Sequence, residues 1–148
     1  MVNSGNDQHA NGKYILYAED DMDDRLMFQN LLQQISPDLG SVVVDNGLRA
    51  VEYLGAIRED ASYPCFILLD VNMPVMDGFA ALKIIKANAA WSNLPVIMYT
   101  TSNYIADFKD AKLYGAKKII TKPFSMDDIR KVISDFANLC IELPEIKK

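Results

Sequence analysis

Histidine is almost absent from this sequence: the one copy, His9, lies in a polar stretch at the N-terminus. We therefore expect no histidine base, histidine-rich metal site or phosphohistidine in the folded part of the chain. Cysteine is scarce too, with Cys65 and Cys140 far apart and no CxxC spacing. This pattern predicts neither a disulfide framework nor a zinc site, and we interpret both cysteines as small buried hydrophobic residues in a reducing compartment.

A surplus of basic residues is also missing. Lys and Arg number 15 against 20 Asp and Glu, which gives a net charge of -5. This balance argues against binding to duplex DNA or to an anionic membrane. No apolar run approaches the roughly 18 residues of a membrane span, and residues 1–12 lack the basic start and apolar stretch of a signal peptide. The sequence therefore predicts a cytoplasmic protein.

The chain of 148 residues has the length of one domain. We expect a disordered leader at residues 1–12, a folded domain at 13–142 and a C-terminal tail at 143–148. Short apolar runs, typical of strands buried on both faces, alternate with five amphipathic helical patterns. This alternation predicts an α/β fold, a doubly wound parallel sheet with helices on both faces. The predicted strands are residues 14–18, 41–45, 65–69, 95–99 and 117–121.

The helices differ in how clearly the sequence marks them. Asp23 is a plausible N-cap of the first helix, and Ser125 with Asp128 forms a capping-box start for the last one. The last helix also has the clearest apolar stripe. The helix near residues 104–113 has the weakest stripe, so we expect it to be the least firmly held.

Polar side chains follow four of the predicted strands. Glu19 and Asp20 come after the first strand, Asp70 after the third, Thr100 after the fourth and Lys122 after the fifth. Because the carboxyl ends of parallel strands meet at one edge of a sheet, we expect these side chains to lie close together. Solvated loop residues are the alternative, but four strand ends with complementary chemistry favour a functional site.

The charges of this cluster indicate which ligand it binds. Three carboxylates facing one lysine leave a charge of about -2, which forces protonation unless a cation binds. Oxygen ligands with room for waters suit Mg²⁺. A metal there would assist transfer of a phosphoryl group to a carboxylate oxygen, while Lys122 and Thr100 hold the other phosphoryl oxygens.

The ensemble ILYAEDD, ILLDVNMPVMDG, VIMYTTS and IITKPF resembles the receiver domain of two-component response regulators, of the single-domain kind similar to the chemotaxis regulator. The resemblance implies a flavodoxin-like sheet of order 2-1-3-4-5. It also implies that Glu19 and Asp20 are the acidic pair of a Mg²⁺ site. Asp70 then accepts the phosphoryl group and ligates the metal, and Asn72 lends its backbone carbonyl.

By the same resemblance, Thr100 is the switch hydroxyl and Lys122 is the phosphoryl-binding lysine, with a cis peptide expected between Lys122 and Pro123. One position departs from the family pattern, since Ile119 stands where Tyr or Phe is frequent. Isoleucine is stiff at χ1 and has no ring to turn inward. We therefore expect the signal to travel through Thr100 and the loop after it to the helix near residues 104–113.

The resemblance implies a function in a phosphorelay. A sensor histidine kinase or a histidine phosphotransfer protein supplies the phosphoryl group, and a downstream protein target reads the result; neither nucleic acid nor membrane is an expected partner. Two alternatives stay open. One is a phosphorylation-independent interaction module, and the other is a Mg²⁺-dependent phosphohydrolase with an aspartyl nucleophile. The latter is disfavoured because Asn72 stands where such enzymes carry a proton-shuttling Asp.

Overall fold

The computed structural model describes residues 12–58 and 63–143, so the predicted leader and tail lie almost wholly outside the described residues. Within this part of the chain, five strands alternate with five helices. The strands are β1 (Tyr14–Ala18), β2 (Gly40–Val44), β3 (Phe66–Leu69), β4 (Val96–Thr100) and β5 (Lys118–Thr121). The helices are α1 (Met22–Ile35), α2 (Gly47–Ala56), α3 (Gly78–Ala87), α4 (Ile105–Leu113) and α5 (Met126–Glu142).

The strands form one parallel sheet in the order β2-β1-β3-β4-β5, which confirms the predicted fold class. β1, β3 and β4 are buried along their whole length because helices cover both faces of the sheet. Apolar residues of α1 and α5 pack on one face, and those of α2, α3 and α4 pack on the other. The strand order places the ends of β1 and β3 side by side at the centre of one sheet edge.

The element boundaries differ slightly from the sequence prediction. β2 begins one residue earlier than predicted, and β3 to β5 each begin one residue later. The N-cap of α1 is Asp21 rather than Asp23, because the Asp21 side chain accepts hydrogen bonds from the backbone N–H of Asp23 and Asp24. Ser125 caps α5 as predicted, accepting from the N–H of Asp128 at 3.1 Å.

α5 is the longest helix and α4 is the least anchored. The buried stripe of α5 includes Ile133, Phe136 and Cys140, whereas in α4 only Ala111 is buried. α4 also begins without a side-chain cap. None of the described helices combines the length and the apolar character needed to cross a membrane.

The prediction of two separate cysteines is wrong, since Cys65 and Cys140 form a disulfide. Their Cα atoms lie 5.4 Å apart because the residue before β3 packs against the last turns of α5. The Nζ of Lys13 adds to this tie by donating to the carbonyls of Cys140 at 3.2 Å, Ile141 at 2.9 Å and Leu143 at 2.6 Å. The C-terminal end of α5 is therefore held twice, and the cysteines no longer support a reducing compartment.

We expect the disulfide to contribute measurably to stability. The bridge closes a loop with a sequence separation of 75 residues, and a cross-link of that span stabilises by up to about 4 kcal/mol, chiefly by restricting the unfolded chain. Urea unfolding with and without a thiol reductant measures the difference. The double variant Cys65→Ala/Cys140→Ala is the control, because its unfolding midpoint should not respond to reductant. Two freely alkylated thiols in the unreduced native protein would contradict the assignment.

Candidate functional site

Four strand ends deliver their polar residues to one edge of the sheet. Glu19 follows β1, Asp70 follows β3, Thr100 ends β4 and Lys122 follows β5. Backbone hydrogen bonds continue the sheet into this edge: the N–H of Asp70 donates to the carbonyl of Ala18 at 3.1 Å, and that of Lys122 donates to the carbonyl of Thr100 at 2.7 Å. The positions of these residues are therefore fixed by the sheet rather than by a free loop.

Three carboxylates converge at the centre of this edge. Glu19, Asp20 and Asp70 each offer an oxygen within 4.8 Å of the other two. Glu19 is 2% exposed and Asp70 is 6% exposed, while Asp20 lies at the surface. The Oδ1 atom of Asp70 is buried and, among the described residues, has no hydrogen-bond partner. A buried carboxylate oxygen without a donor is costly, so this donor set fits a cation with oxygen ligands.

Lys122 is the cation that the protein itself supplies to these carboxylates. Its Nζ forms an ion pair with Oε1 of Glu19 and lies 3.1 Å from Oδ2 of Asp24 and 3.3 Å from Oδ2 of Asp70. Burial acts to lower the pKa of Lys122, but the carboxylates of Asp70 and Glu19 act in the opposite direction and raise the pKa above its ordinary value. Lys122 is therefore a permanent positive charge beside Asp70.

Two tyrosines lie beneath the lysine ammonium. The Nζ of Lys122 is 5.6 Å from the ring centre of Tyr99 and 6.0 Å from that of Tyr17. The hydroxyl of Tyr17 donates to Oε1 of Glu19 at 3.3 Å. Burial raises the pKa of Tyr99 to about 12 and that of Tyr17 further, so both phenols stay neutral.

Glu19 is held firmly but carries an unfavourable charge. Its Oε2 accepts from the N–H of Asp21 at 2.9 Å. Burial, followed by the nearby Asp70 carboxyl group, raises the pKa of Glu19 to about 7 despite the opposing effect of Lys122. The protein has thus placed more negative charge here than Lys122 alone balances.

The backbone of the segment from Asp70 to Gly78 lies so close to Gly47 and Gly78 that neither position has room for a side chain. A Cβ on Gly78 would lie 2.0 Å from the carbonyl oxygen of Asp70, and one on Gly47 would lie 2.6 Å from the carbonyl oxygen of Met76. Backbone hydrogen bonds from Gly78 to Val71 and from Gly47 to Met76, both 2.9 Å, close the loop. Asp70 is therefore fixed from its C-terminal side as well as by β3. Asn72, in the same loop, has an exposed side chain.

Thr100 is fully buried and joined to the start of α4 through Ser102. The hydroxyl oxygen of Thr100 accepts from the N–H of Ser102 at 3.2 Å, and the Ser102 hydroxyl donates to Oδ2 of Asp107 in α4. The hydroxyl of Thr121, at the end of β5, donates to the carbonyl of Ser102 at 3.3 Å. Ser102 thus connects the strand edge to α4.

Asp24 was not among the residues predicted for the site, because an acid in the first turn of α1 has an ordinary role there. Its N3 position after the Asp21 cap explains that role, yet its carboxylate also reaches Lys122.

The prediction of a cis peptide before Pro123 is wrong, because the described residues contain no cis bond. The Lys122 backbone pairs with Thr100 as a continuation of the sheet, so its side chain reaches the carboxylates from a trans peptide.

The chain is similar in sequence to known signalling proteins. Residues 15–134 match the family model described as the response regulator receiver domain. The chain is 30% identical over 126 residues to the two-component response regulator ARR5 of Arabidopsis thaliana, covering 80% of this chain and 67% of ARR5. It spans 54% of the length of ARR3, another two-component response regulator of Arabidopsis thaliana.

Solved structures agree with the sequence matches. The phosphorylated cyanobacterial phytochrome response regulator RcpA superposes with a TM-score of 0.80 at 28% identity, covering 89% of this chain and 98% of RcpA. The Mn²⁺-bound form of response regulator Rcp1 superposes with a TM-score of 0.78 at 29% identity, covering 89% of this chain and 99% of that one. Rcp1 is a protein of Synechocystis.

The packing around Asp70 predicts that Gly78→Ala is destabilising. Its Cβ would meet the Asp70 carbonyl at 2.0 Å, so the loop must shift, at a cost of about 1–3 kcal/mol. Gly55→Ala in α2 is the matched control, because its Cβ would lie 4.0 Å from the Trp91 ring; helix propensity there favours Ala by about 0.5–1 kcal/mol. Urea unfolding measures both, and equal stability of Gly78→Ala and wild type would contradict the tight packing.

Proposed function

Since this chain belongs to the family of response regulator receiver domains, which serve two-component signalling, we propose that Asp70 accepts a phosphoryl group and that the acyl phosphate switches a protein-interaction surface. The donor is a phosphohistidine of a sensor histidine kinase or of a histidine phosphotransfer protein. The observation that carries the proposal is the state of Asp70: its Oδ2 is held by Lys122, while its buried Oδ1 lacks a hydrogen-bond partner within residues 12–58 and 63–143.

A divalent cation completes the site in this proposal, and Mg²⁺ is the ion that fits best. Glu19, Asp20 and Asp70 supply carboxylate oxygens, and Asn72 supplies its backbone carbonyl. A small hard cation with few protein ligands and several waters suits such a set. When bound, Mg²⁺ neutralises charge on the acceptor and phosphoryl oxygens during transfer.

The side chains of this chain position the transfer. A carboxylate oxygen of Asp70 attacks the phosphorus, an O–P bond forms, and the P–N bond to the donor imidazole breaks, its electron pair remaining on that nitrogen. Lys122 faces Asp70 and can hold a phosphoryl oxygen through a charge-assisted hydrogen bond, as can the hydroxyl of Thr100. We propose that the domain catalyses only this step and the hydrolysis of its own acyl phosphate, and that it acts in the cytoplasm, where ATP-dependent donors are phosphorylated.

The output in this proposal is a change at α4. Thr100 connects to α4 through Ser102 and Asp107, and α4 has little buried surface to resist displacement. Ile119 packs at the edge of the apolar cluster and carries no ring or hydroxyl that could exchange partners. A downstream protein then reads the α4 to α5 face.

Phosphorylation of Asp70 is directly testable. With Mg²⁺ and acetyl phosphate, the wild-type protein should gain the mass of one phosphoryl group, and Asp70→Asn should gain none because an amide is a poor nucleophile. Asp45→Asn is the matched control: Asp45 also follows a strand, β2, but lies exposed at its end. Labelling of Asp70→Asn would reject this acceptor, and no labelling of wild type by small donors or candidate histidine kinases would favour the phosphorylation-independent module.

The proposed output predicts where hydrogen exchange changes. Mg²⁺ with beryllofluoride, a phosphoryl mimic, should alter the amide protection of residues 101–113, since Thr100 connects to α4 through Ser102. Peptides around Ile119 should change less. A change at β5 with residues 101–113 unaffected would contradict this route.

A further inference from the structure

All three N–H donors of the Lys122 ammonium group have carboxylate partners. These partners are Oε1 of Glu19, Oδ2 of Asp24 at 3.1 Å and Oδ2 of Asp70 at 3.3 Å. A lysine ammonium has three donors and no more. If Lys122 is to hold a phosphoryl oxygen, as the proposed function requires, that oxygen must replace one of the three carboxylates.

Glu19 cannot readily leave Lys122. Its side chain is 2% exposed, and its two oxygens also accept from the Tyr17 hydroxyl at 3.3 Å and from the Asp21 N–H at 2.9 Å. Moving this carboxylate away would leave the buried Tyr17 hydroxyl and the Asp21 N–H without their hydrogen-bond acceptor. Asp70 is the acceptor itself and stays beside the transferred group.

Asp24 is the partner that can leave at low cost. Its side chain is 35% exposed, and among the described residues Lys122 is the hydrogen-bond partner of its carboxylate. Asp24 also lines a cavity of about 230 Å³, together with residues that include Tyr99, Lys122 and Phe124. Water can therefore hydrate Asp24 once it separates from the lysine.

The lysine itself has little freedom to move instead. The rings of Tyr99 and Tyr17 lie under its Nζ at 5.6 and 6.0 Å, and its side chain is 10% exposed. The backbone of Asp24 is also fixed, since its N–H donates to the Asp21 cap at 3.2 Å. The exchange therefore requires only rotation of the Asp24 side chain.

We propose that Asp24 is a positioning residue that occupies, on Lys122, the place that a phosphoryl oxygen takes. In the unphosphorylated domain Asp24 holds the ammonium in position, and on phosphorylation its carboxylate is displaced into solvent. The contact then opposes phosphoryl binding, so removing it should strengthen the site. This inference rests on the proposed function.

The test measures binding of beryllofluoride to the full chain at saturating Mg²⁺ by titration calorimetry. Asp24→Asn should bind about fivefold more tightly than wild type, the size of one partly exposed ion pair. Asp23→Asn is the matched control. It removes the same charge from the same first turn, but Asp23 is exposed and makes no ion pair with Lys122 in the described structure.

A purely structural role gives a different result. Both Asn variants lose a favourable charge at the start of α1, and Asp24→Asn also loses its ion pair with Lys122. Urea unfolding without ligand should therefore show a small loss of stability in each variant, with the larger loss in Asp24→Asn. Tighter beryllofluoride binding by Asp24→Asn alone supports the exchange. Equal or weaker binding by Asp24→Asn, or an equal gain in Asp23→Asn, overturns it while leaving the proposed function intact. Failure of the wild-type protein to bind beryllofluoride overturns both.

Discussion

The attraction between one largely buried lysine, Lys122, and the carboxylates around it determines how this sheet edge is built. Like charges as close as those of Glu19 and Asp70 repel, and burial in a medium of low dielectric strengthens that repulsion. The strand order brings a balancing positive charge to these carboxylates. β4 lies between β3 and β5, and the long side chain of Lys122 extends across β4 to reach them. A shorter cation at the same position could not span that distance. The tyrosine rings beneath the ammonium keep it at the level of the carboxylates.

The two helices that flank β5 are held very differently. α5, which follows Lys122, ends in a disulfide to Cys65 and in hydrogen bonds from Lys13. α4, which precedes β5, buries one residue and lacks a side-chain cap. A rearrangement at Thr100 therefore meets strong resistance on the α5 side and little on the α4 side. The firm attachment of α5 would thus confine such a change to α4 rather than spread it over both helices.

Much of the fold and of the site could be predicted from the sequence, since both follow from local patterns. Buried strands such as β1 and β3 appear as unbroken apolar runs, and parallel strands place their C-terminal ends at one edge, which brings Glu19 near Asp70. The disulfide could not be predicted, because the pairing of Cys65 with Cys140 depends on how the last turns of α5 pack against the start of β3. The ion pair of Asp24 was missed because its position at the start of α1 already had a sufficient local explanation.

Asp24 also changes the charge balance inferred from the sequence. Three carboxylates and one lysine leave a charge of about -2, but the fourth carboxylate at Lys122 makes it about -3 when all are ionised. An excess of this size cannot be relieved by Lys122, whose donors are already occupied, and protonation of Glu19 relieves only part of it. In the proposed function, a bound divalent cation would relieve most of this excess and leave the lysine free to exchange Asp24 for an incoming anion. The proposed metal site and the proposed phosphoryl site would therefore be coupled through charge, because a bound cation lowers the negative charge that an incoming phosphoryl group meets.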